Sequence, residues 1–399
     1  MMTDQLTRPV VRPLVTPWES LRKQMPVAKR WAYFDHAAVA PLPAPAQDSL
    51  DAWSRDLADN GDVHWPLWAK RLENVRRQAA KLLRSDTDEV ALIRNTTEGV
   101  NLVSEGFPWQ AGDNVVLFAD EFPTNRIPWQ HLAARGVETR LIATTNPGGN
   151  TDADLDRLLA ACDSRTRIVS ASWVGYASGR RWDVAKLTEA VHSRGALLFL
   201  DAIQGLGVFP LDVHAMNVDF LAADGHKWLL GPEGAGLFYV KRELLNVLRP
   251  VGIGWNSVVD GHDFASTEWR IKPSAARYEG GTMNTGGFVA LGASLALLAS
   301  YEATGGAGSL GRRVLEITDI ACRKLQAAGC KILSDRRPGA ASGIISFEVP
   351  GKNPVVVRRH LLDHSVVVSC RAGKLRVSPH AYTSEADLDR LVAGIRSAE

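Results

Sequence analysis

Short apolar runs alternate with helix-length segments through the middle of the chain, and that alternation restricts the fold more than any other feature. Asn114-Val-Val-Leu-Phe-Ala-Asp120, Arg140-Leu-Ile-Ala143, Arg167-Ile-Val-Ser-Ala-Ser-Trp173 and Ala196-Leu-Leu-Phe-Leu200 read as strands, with helices expected at 153–162 and 184–194. Near-continuous apolar runs of this length belong to strands covered on both faces. Strands separated by single helices imply right-handed crossovers and a mainly parallel sheet. The expected fold is therefore α/β, and 399 residues leave room for a second, smaller unit. From Phe288 onward the pattern changes to α+β, with helices near 289–302 and 309–328 and strands near 343–348, 366–369 and 375–377. The expected division is an irregular arm at 1–29, a large domain at 30–287 and a small domain at 288–399.

Open parallel sheets place ligands at the carboxyl ends of their strands. Three stretches at such ends carry chemistry. Asp201 closes the run Ala196–Leu200 and is followed by Ala-Ile-Gln204. Glu89-Val-Ala-Leu-Ile-Arg94 runs into Asn95-Thr-Thr-Glu-Gly-Val-Asn101, a hydroxyl-rich turn opening a helix. A helix start of that kind suits a phosphate, and it also fits a plain cap by Thr96 or Thr97 with Glu98 in the first turn. Asp219-Phe-Leu-Ala-Ala-Asp-Gly-His-Lys227 ends an apolar run just before a glycine-rich turn. A lysine enclosed there loses its charge more readily and becomes a nucleophile able to form Schiff bases. For a lysine taken alone, a solvated surface site is the commoner situation.

An anion cradle, a carboxylate and an enclosed amine together suit pyridoxal phosphate. The order and wording of Asn95–Asn101, Asp201-Ala-Ile-Gln204, Gly225-His-Lys227 and Glu279-Gly-Gly-Thr-Met-Asn-Thr-Gly-Gly287 resemble the class V aminotransferases. That fold-type I group of pyridoxal phosphate enzymes includes cysteine desulfurases, selenocysteine lyases, isopenicillin N epimerase and transaminases. The resemblance runs from about Tyr33 to about Leu391. It implies that Lys227 holds the cofactor and relays the substrate α-proton. By the same resemblance Asp201 meets the ring nitrogen, Gln204 the ring hydroxyl, and Thr96, Thr97 and His226 the phosphate. Thr282 would reach the phosphate of a second chain, making a homodimer the expected assembly. Asp224 stands where relatives commonly carry serine, and an anion beside a phosphate repels it unless it is turned toward a cation or donor. The loop Glu121-Phe-Pro-Thr-Asn125 lacks the paired histidines of desulfurases. Phe122 can supply a stacking face there, although ungapped matching puts Pro123 at that position. Ser172, Tyr176 and Ser178 stay undecided as neighbours of the cofactor.

For a small amino acid substrate, the resemblance assigns Arg376 to the α-carboxylate, Arg371 to the side chain and His36 to the mouth of the site. A surface arginine or a structural histidine fits the same positions. Desulfurases insert a loop with a nucleophilic cysteine before the arginine matched by Arg376, whereas here Ala372-Gly-Lys-Leu375 alone separates the two arginines. Cys370 is the candidate thiol, and it follows an apolar β-branched run that favours a buried, inert state. The reaction expected is transamination or lyase chemistry through an α-carbanion. Desulfurase, selenocysteine lyase or epimerase activity is the alternative within the family, and a non-catalytic scaffold the alternative outside it.

Other patterns carry less. A net charge of +2 gives no reason to expect nucleic acid, and Phe288–Ala299 is short for a membrane span. Four cysteines without CxxC spacing and a start without an apolar core point to a reducing cytoplasm. Gly306-Ala-Gly-Ser-Leu-Gly311 matches GxGxxG, but a helix precedes it, which fits an interhelical turn. His360 and His364 have helical metal-pair spacing without a third ligand, so no metal is expected.

Overall fold

The structure is a computed structural model that describes residues 16–144 and 151–398. Its centre is a seven-stranded sheet in the order Val90–Ile93, Gly236–Val240, Phe220–Asp224, Leu197–Asp201, Thr166–Ser172, Asn114–Phe118, Glu138–Ile142. Neighbours from Phe220–Asp224 to Glu138–Ile142 pair in parallel, and Gly236–Val240 runs against both of its neighbours. Side chains alternate between two apolar cores. Leu200 and Leu221 enter one, while Phe199, Phe220 and Ala222 enter the other. That two-sided burial explains why these strands read as continuous apolar runs rather than alternating ones.

Helix Thr96–Gly106 lies tightly on the sheet at Gly99, where an added Cβ would stand 2.5 Å from the Ala222 Cβ. Between residues 44 and 84 the chain forms two helices, Ala44–Asn60 and Trp65–Leu83, divided at Gly61, whose φ is +60°. Pro66 falls in the first turn of the second helix, where its missing N–H costs nothing.

The C-terminal unit holds an antiparallel sheet ordered Ser369–Arg371, Lys374–Val377, Ile345–Glu348, Lys331–Ile332. Ala372 and Gly373, at φ +47° and +74°, make the two-residue turn joining the first two strands. Ala32–Tyr33 pairs in parallel with Val366–Val367, and Phe34 enters the core of this unit. Helix Thr285–Gly305, by contrast, packs on Ala44–Asn60 and Trp65–Leu83. By length and composition it is apolar enough to cross a membrane, longer than the Phe288–Ala299 stretch that stands out in sequence. Gly306 and Gly308, at φ +80° and +76°, turn the chain into helix Ser309–Ala327, so the GxGxxG match is an interhelical turn.

The irregular arm expected at 1–29 needs correction beyond residue 16; residues 1–15 lie outside the described residues. Pro17–Lys23 is a helix opened by a capping box between Thr16 and Glu19. Arg22 clamps Asp387 through Nη1–Oδ2 at 2.6 Å and Nη2–Oδ1 at 3.0 Å, which ties this helix to the C-terminal one. Among the described residues no group of three or more His, Cys, Asp or Glu is arranged to hold a metal.

Candidate active site

A cavity of about 480 Å³ opens at the carboxyl edge of the sheet. Five strands running in one direction deliver residues to its wall: Thr96 and Thr97 follow Ile93, Phe122 follows Phe118, and Ser172, Asp201 and Asp224 end their own strands. At the helix start the cap is Asn95, whose side chain accepts from the Glu98 amide at 2.9 Å. This corrects the assignment of the cap to Thr96 or Thr97. With the cap upstream, both threonines sit in the first turn, where backbone N–H groups are left for a ligand. Thr97 Oγ1 meets Thr124 Oγ1 at 2.9 Å, while Thr96 Oγ1 is buried and unpartnered.

Lys227 projects into the same cavity. Its amine is pushed down to about 8, first by loss of water, with Arg376 reinforcing and Asp201 opposing. Asp201 is 2 % exposed and accepts from the Ile203 amide at 3.2 Å. Burial raises its carboxyl to about 6, against the pull of that N–H and of Lys227. The Phe122 ring lines the cavity with its centroid 5.7 Å from Lys227 Nζ, and Pro123 faces a neighbouring cavity instead. Tyr176 meets Phe122 edge to face at 5.2 Å.

Asp224 turns toward His226 rather than toward the open cavity, Oδ2 to Nδ1 at 2.9 Å. The contact is not in line for a hydrogen bond, so His226 Nδ1 stays unsatisfied; Asp224 Oδ1 also has no hydrogen-bond partner among the described residues. Gln204 also lines the cavity, but its amide is largely committed: Nε2 donates to the Ala37 carbonyl and Oε1 accepts from Trp228 Nε1, both at 2.9 Å. The expectation for His36 is overturned. Its ring is fully buried behind the cavity wall, with Nδ1 2.9 Å from the Ser378 carbonyl and Nε2 2.8 Å from the Tyr382 hydroxyl. Burial holds it well below the ordinary histidine range, as a neutral packing group.

Arg376 is 1 % exposed and fixed on three sides. Nε donates to Ser369 Oγ at 3.0 Å, Nη1 to the Tyr176 carbonyl at 2.7 Å and Nη2 to Asp35 Oδ1 at 3.0 Å. A guanidinium has five N–H groups. One on each terminal nitrogen therefore has no partner among the described residues, a fork suited to one carboxylate. Arg371 reaches the cavity from the same hairpin. Cys370, its neighbour, does not line the cavity: Sγ lies 3.2 Å from the Pro354 carbonyl, and burial pushes the thiol up. Ser178 is likewise outside it, and Thr282 lines a separate concavity of about 960 Å³ that shares Asn95 and Thr97.

One group escaped sequence reasoning. Glu121 is buried, accepts from the Ser172 amide at 2.8 Å and from the Ser172 hydroxyl, and is raised to about 7 by burial. Ser172 pairs in register with Asp201, so Glu121 pins the strand beside that carboxylate. A carboxylate immediately after the Asn114–Phe118 strand and its two-residue exit was the available signal.

Thr96, Thr97 and His226 line the cavity together with a helix start, and the partnerless Thr96 hydroxyl and His226 Nδ1 fit a phosphate, while Asp201 with Lys227 fits a pyridine ring bearing an aldehyde. Comparison with known proteins agrees. The family described as aminotransferase class-V matches residues 32–391. A cysteine desulfurase of Klebsiella pneumoniae (strain 342) is 32% identical over 409 residues, 95% of this chain and 97% of its own length. A probable cysteine desulfurase of Methanothermobacter thermautotrophicus is 29% identical over 360 residues, covering 89% and 87%. The apo structure of a cysteine desulfurase from Thermococcus onnurineus NA1 superposes with a TM-score of 0.84 at 26% identity, covering 95% and 97%.

Proposed function

Because the chain belongs to the class-V aminotransferase family and is a pyridoxal phosphate enzyme, we propose that it acts as an aminotransferase or lyase on a small amino acid, without forming a persulfide on itself. The cofactor, when bound, supplies an aldehyde for the amine and an electron-withdrawing ring. Thr96, Thr97 and His226 would hold its phosphate, Asp201 its ring nitrogen, Phe122 one ring face and Lys227 the aldehyde carbon. The observation that carries the proposal is Lys227 itself, an amine brought to about 8 in the cavity that also contains Asp201 and Arg376.

Arg376 binds the substrate carboxylate through its two open N–H groups, and its three fixed bonds prevent the guanidinium from following the substrate about. With its amine free, Lys227 would take the proton from the substrate Cα. Its depressed basicity leaves a useful fraction of neutral amine near pH 7. Phe122 offers no proton-transfer group where desulfurases have histidine, so this work falls to Lys227. Asp201, ionised above about 6, would balance positive charge at the ring nitrogen of the bound cofactor.

Cysteine desulfurase activity, named for the relatives above, is the second reading. The placement of Cys370 against the Pro354 carbonyl, outside the cavity, weighs against it. The proposed assembly is a homodimer, supported by the open concavity at Thr282 beside the Asn95–Thr97 turn, and the proposed location is the cytoplasm, in keeping with free cysteines among the described residues. The discriminating experiment records visible absorption of cofactor-loaded protein while single L-amino acids are added without a keto acid. Bleaching to the amine form of the cofactor identifies an aminotransferase donor, and pyruvate released with the band intact identifies a lyase. A sulfide yield that disappears in Cys370→Ala would overturn the proposal in favour of the desulfurase.

A further inference from the structure

Gln204 is held by two partners that ask opposite things of it. Its amide donates from Nε2 to the Ala37 carbonyl and accepts at Oε1 from Trp228 Nε1, both at 2.9 Å. A carbonyl can only accept and an indole N–H can only donate. Turning the amide over would set oxygen against oxygen and N–H against N–H, so the pair imposes one orientation. Gln204 and Trp228 are 3 % and 1 % exposed, which leaves little water to satisfy the turned form. In the imposed orientation the second Nε2 hydrogen has no partner among the described residues, and Gln204 lines the main cavity. The indole is itself fixed from its far side. Its ring stacks on His380 at 5.9 Å with 27° between the planes and lies 6.2 Å from His36. A Cβ added at Gly343 would stand 2.4 Å from the indole Cη2, so the chain entering strand Ile345–Glu348 runs directly against it. Trp228 follows Lys227 in the chain, yet does not line the cavity itself.

The family resemblance puts the cofactor's ring hydroxyl at Gln204. We propose that Trp228 is a positioning residue for that contact: its indole N–H, with the Ala37 carbonyl, locks the Gln204 amide so that it offers the ring oxygen an N–H rather than a carbonyl. This rests on the reading of the cavity as a pyridoxal phosphate site with Lys227 as its amine. A neutral donor on the ring oxygen stabilises negative charge there and loosens that oxygen's hold on a proton of the neighbouring Lys227 nitrogen. Trp228 thus acts on the acidity of the Lys227 nitrogen through Gln204, from outside the cavity.

The test titrates the visible absorbance of cofactor-loaded protein with pH in the wild type, Trp228→Phe, Gln204→Leu and the double variant. Trp228→Phe keeps an aromatic ring in the packing and removes the N–H. The titration midpoint should rise by about 0.5–1 pH unit in Trp228→Phe, the worth of one net hydrogen bond. Gln204→Leu should raise it at least as far, and the double variant no further than Gln204→Leu alone, because both changes act through one amide. His36 and His380, packed on the indole, are held below the ordinary histidine range by burial, so neither supplies the shift. A fall in Gln204→Leu would mean that the amide accepts from the ring hydroxyl, and additive shifts in the double variant that Trp228 acts by another route; either overturns the proposal. So does a Trp228→Phe protein that melts earlier with its midpoint unmoved. Gln204→Leu decides the orientation of the amide even where Trp228→Phe does not fold. A wild type with no pH-dependent cofactor band would sink the catalytic reading itself, whereas an ordinary wild-type titration that neither variant moves overturns this proposal alone.

Discussion

Thr96, Asp201, Asp224 and Lys227 stand on or just beyond the ends of hydrogen-bonded strands, whereas Phe122, Tyr176, Arg371 and Arg376 stand on a loop, a turn and a short hairpin. On the first wall backbone ladders fix position, and Asp201 is only 2 % exposed. On the second wall the Arg376 backbone is laddered too, between Ser346 and Ser369, but its long guanidinium is aimed by side-chain contacts with Asp35 and Ser369, and Phe122 is 41 % exposed with Tyr176 against its ring. The contrast assigns fixed chemistry to the sheet and adjustable specificity to the loops, as expected where binding residues ride on a rigid scaffold.

The comparison breaks first at Lys227. Lys227→Ala should lower kcat by about 10²- to 10⁴-fold, the usual worth of a positioned proton-transfer group, in steady-state assays with the preferred amino acid. Fold and melting temperature should be retained, because the amine has no bond to lose in the interior. Arg376→Met attacks the opposite wall. It should raise KM and lower kcat/KM by about 10²-fold for every substrate, and it should also cost about 3–5 kcal/mol of stability because Asp35 is left without its cation. Denaturant unfolding measures the second effect, which separates a side chain fixed by an ion pair from one without such a partner.

The next effect is a pH dependence. Condensation needs the neutral amine, so a folded value near 8 means the rate of cofactor capture by cofactor-free protein rises about tenfold between about pH 7 and about pH 9 and then levels. An unperturbed lysine would keep climbing about tenfold per pH unit over that range. Below about 6, protonation of Asp201 removes the charge that pairs with the ring nitrogen, and activity should fall. The smallest effect is expected at Cys370→Ser, which should change turnover by less than about twofold because the thiol sits outside the cavity.

Legibility in the sequence follows the same contrast. The parallel sheet and the positions of Asp201, Lys227 and Asp224 were readable because strand ends in an α/β sheet converge on one edge. His36 was misjudged because its partners, Ser378 and Tyr382, lie more than three hundred residues away, beyond the reach of any local pattern. Gln204 is drawn into similar long-range contacts with Ala37 and Trp228. The cap at Asn95 and the capping box at Thr16 and Glu19 were visible in principle. Neighbouring hydroxyls competed with the first, and scattered prolines obscured the second. The position of Glu121 just past a strand exit was a sequence signal, but its partner was not, since that depends on how the loop folds back onto Ser172.

The most direct test of the central claim is to load the protein with pyridoxal phosphate, reduce it with borohydride, digest it and locate the fixed cofactor by mass spectrometry. One modified peptide containing Lys227 is expected, with the modification lost in Lys227→Ala. Cofactor fixed on a different lysine, or none retained after loading, would contradict it.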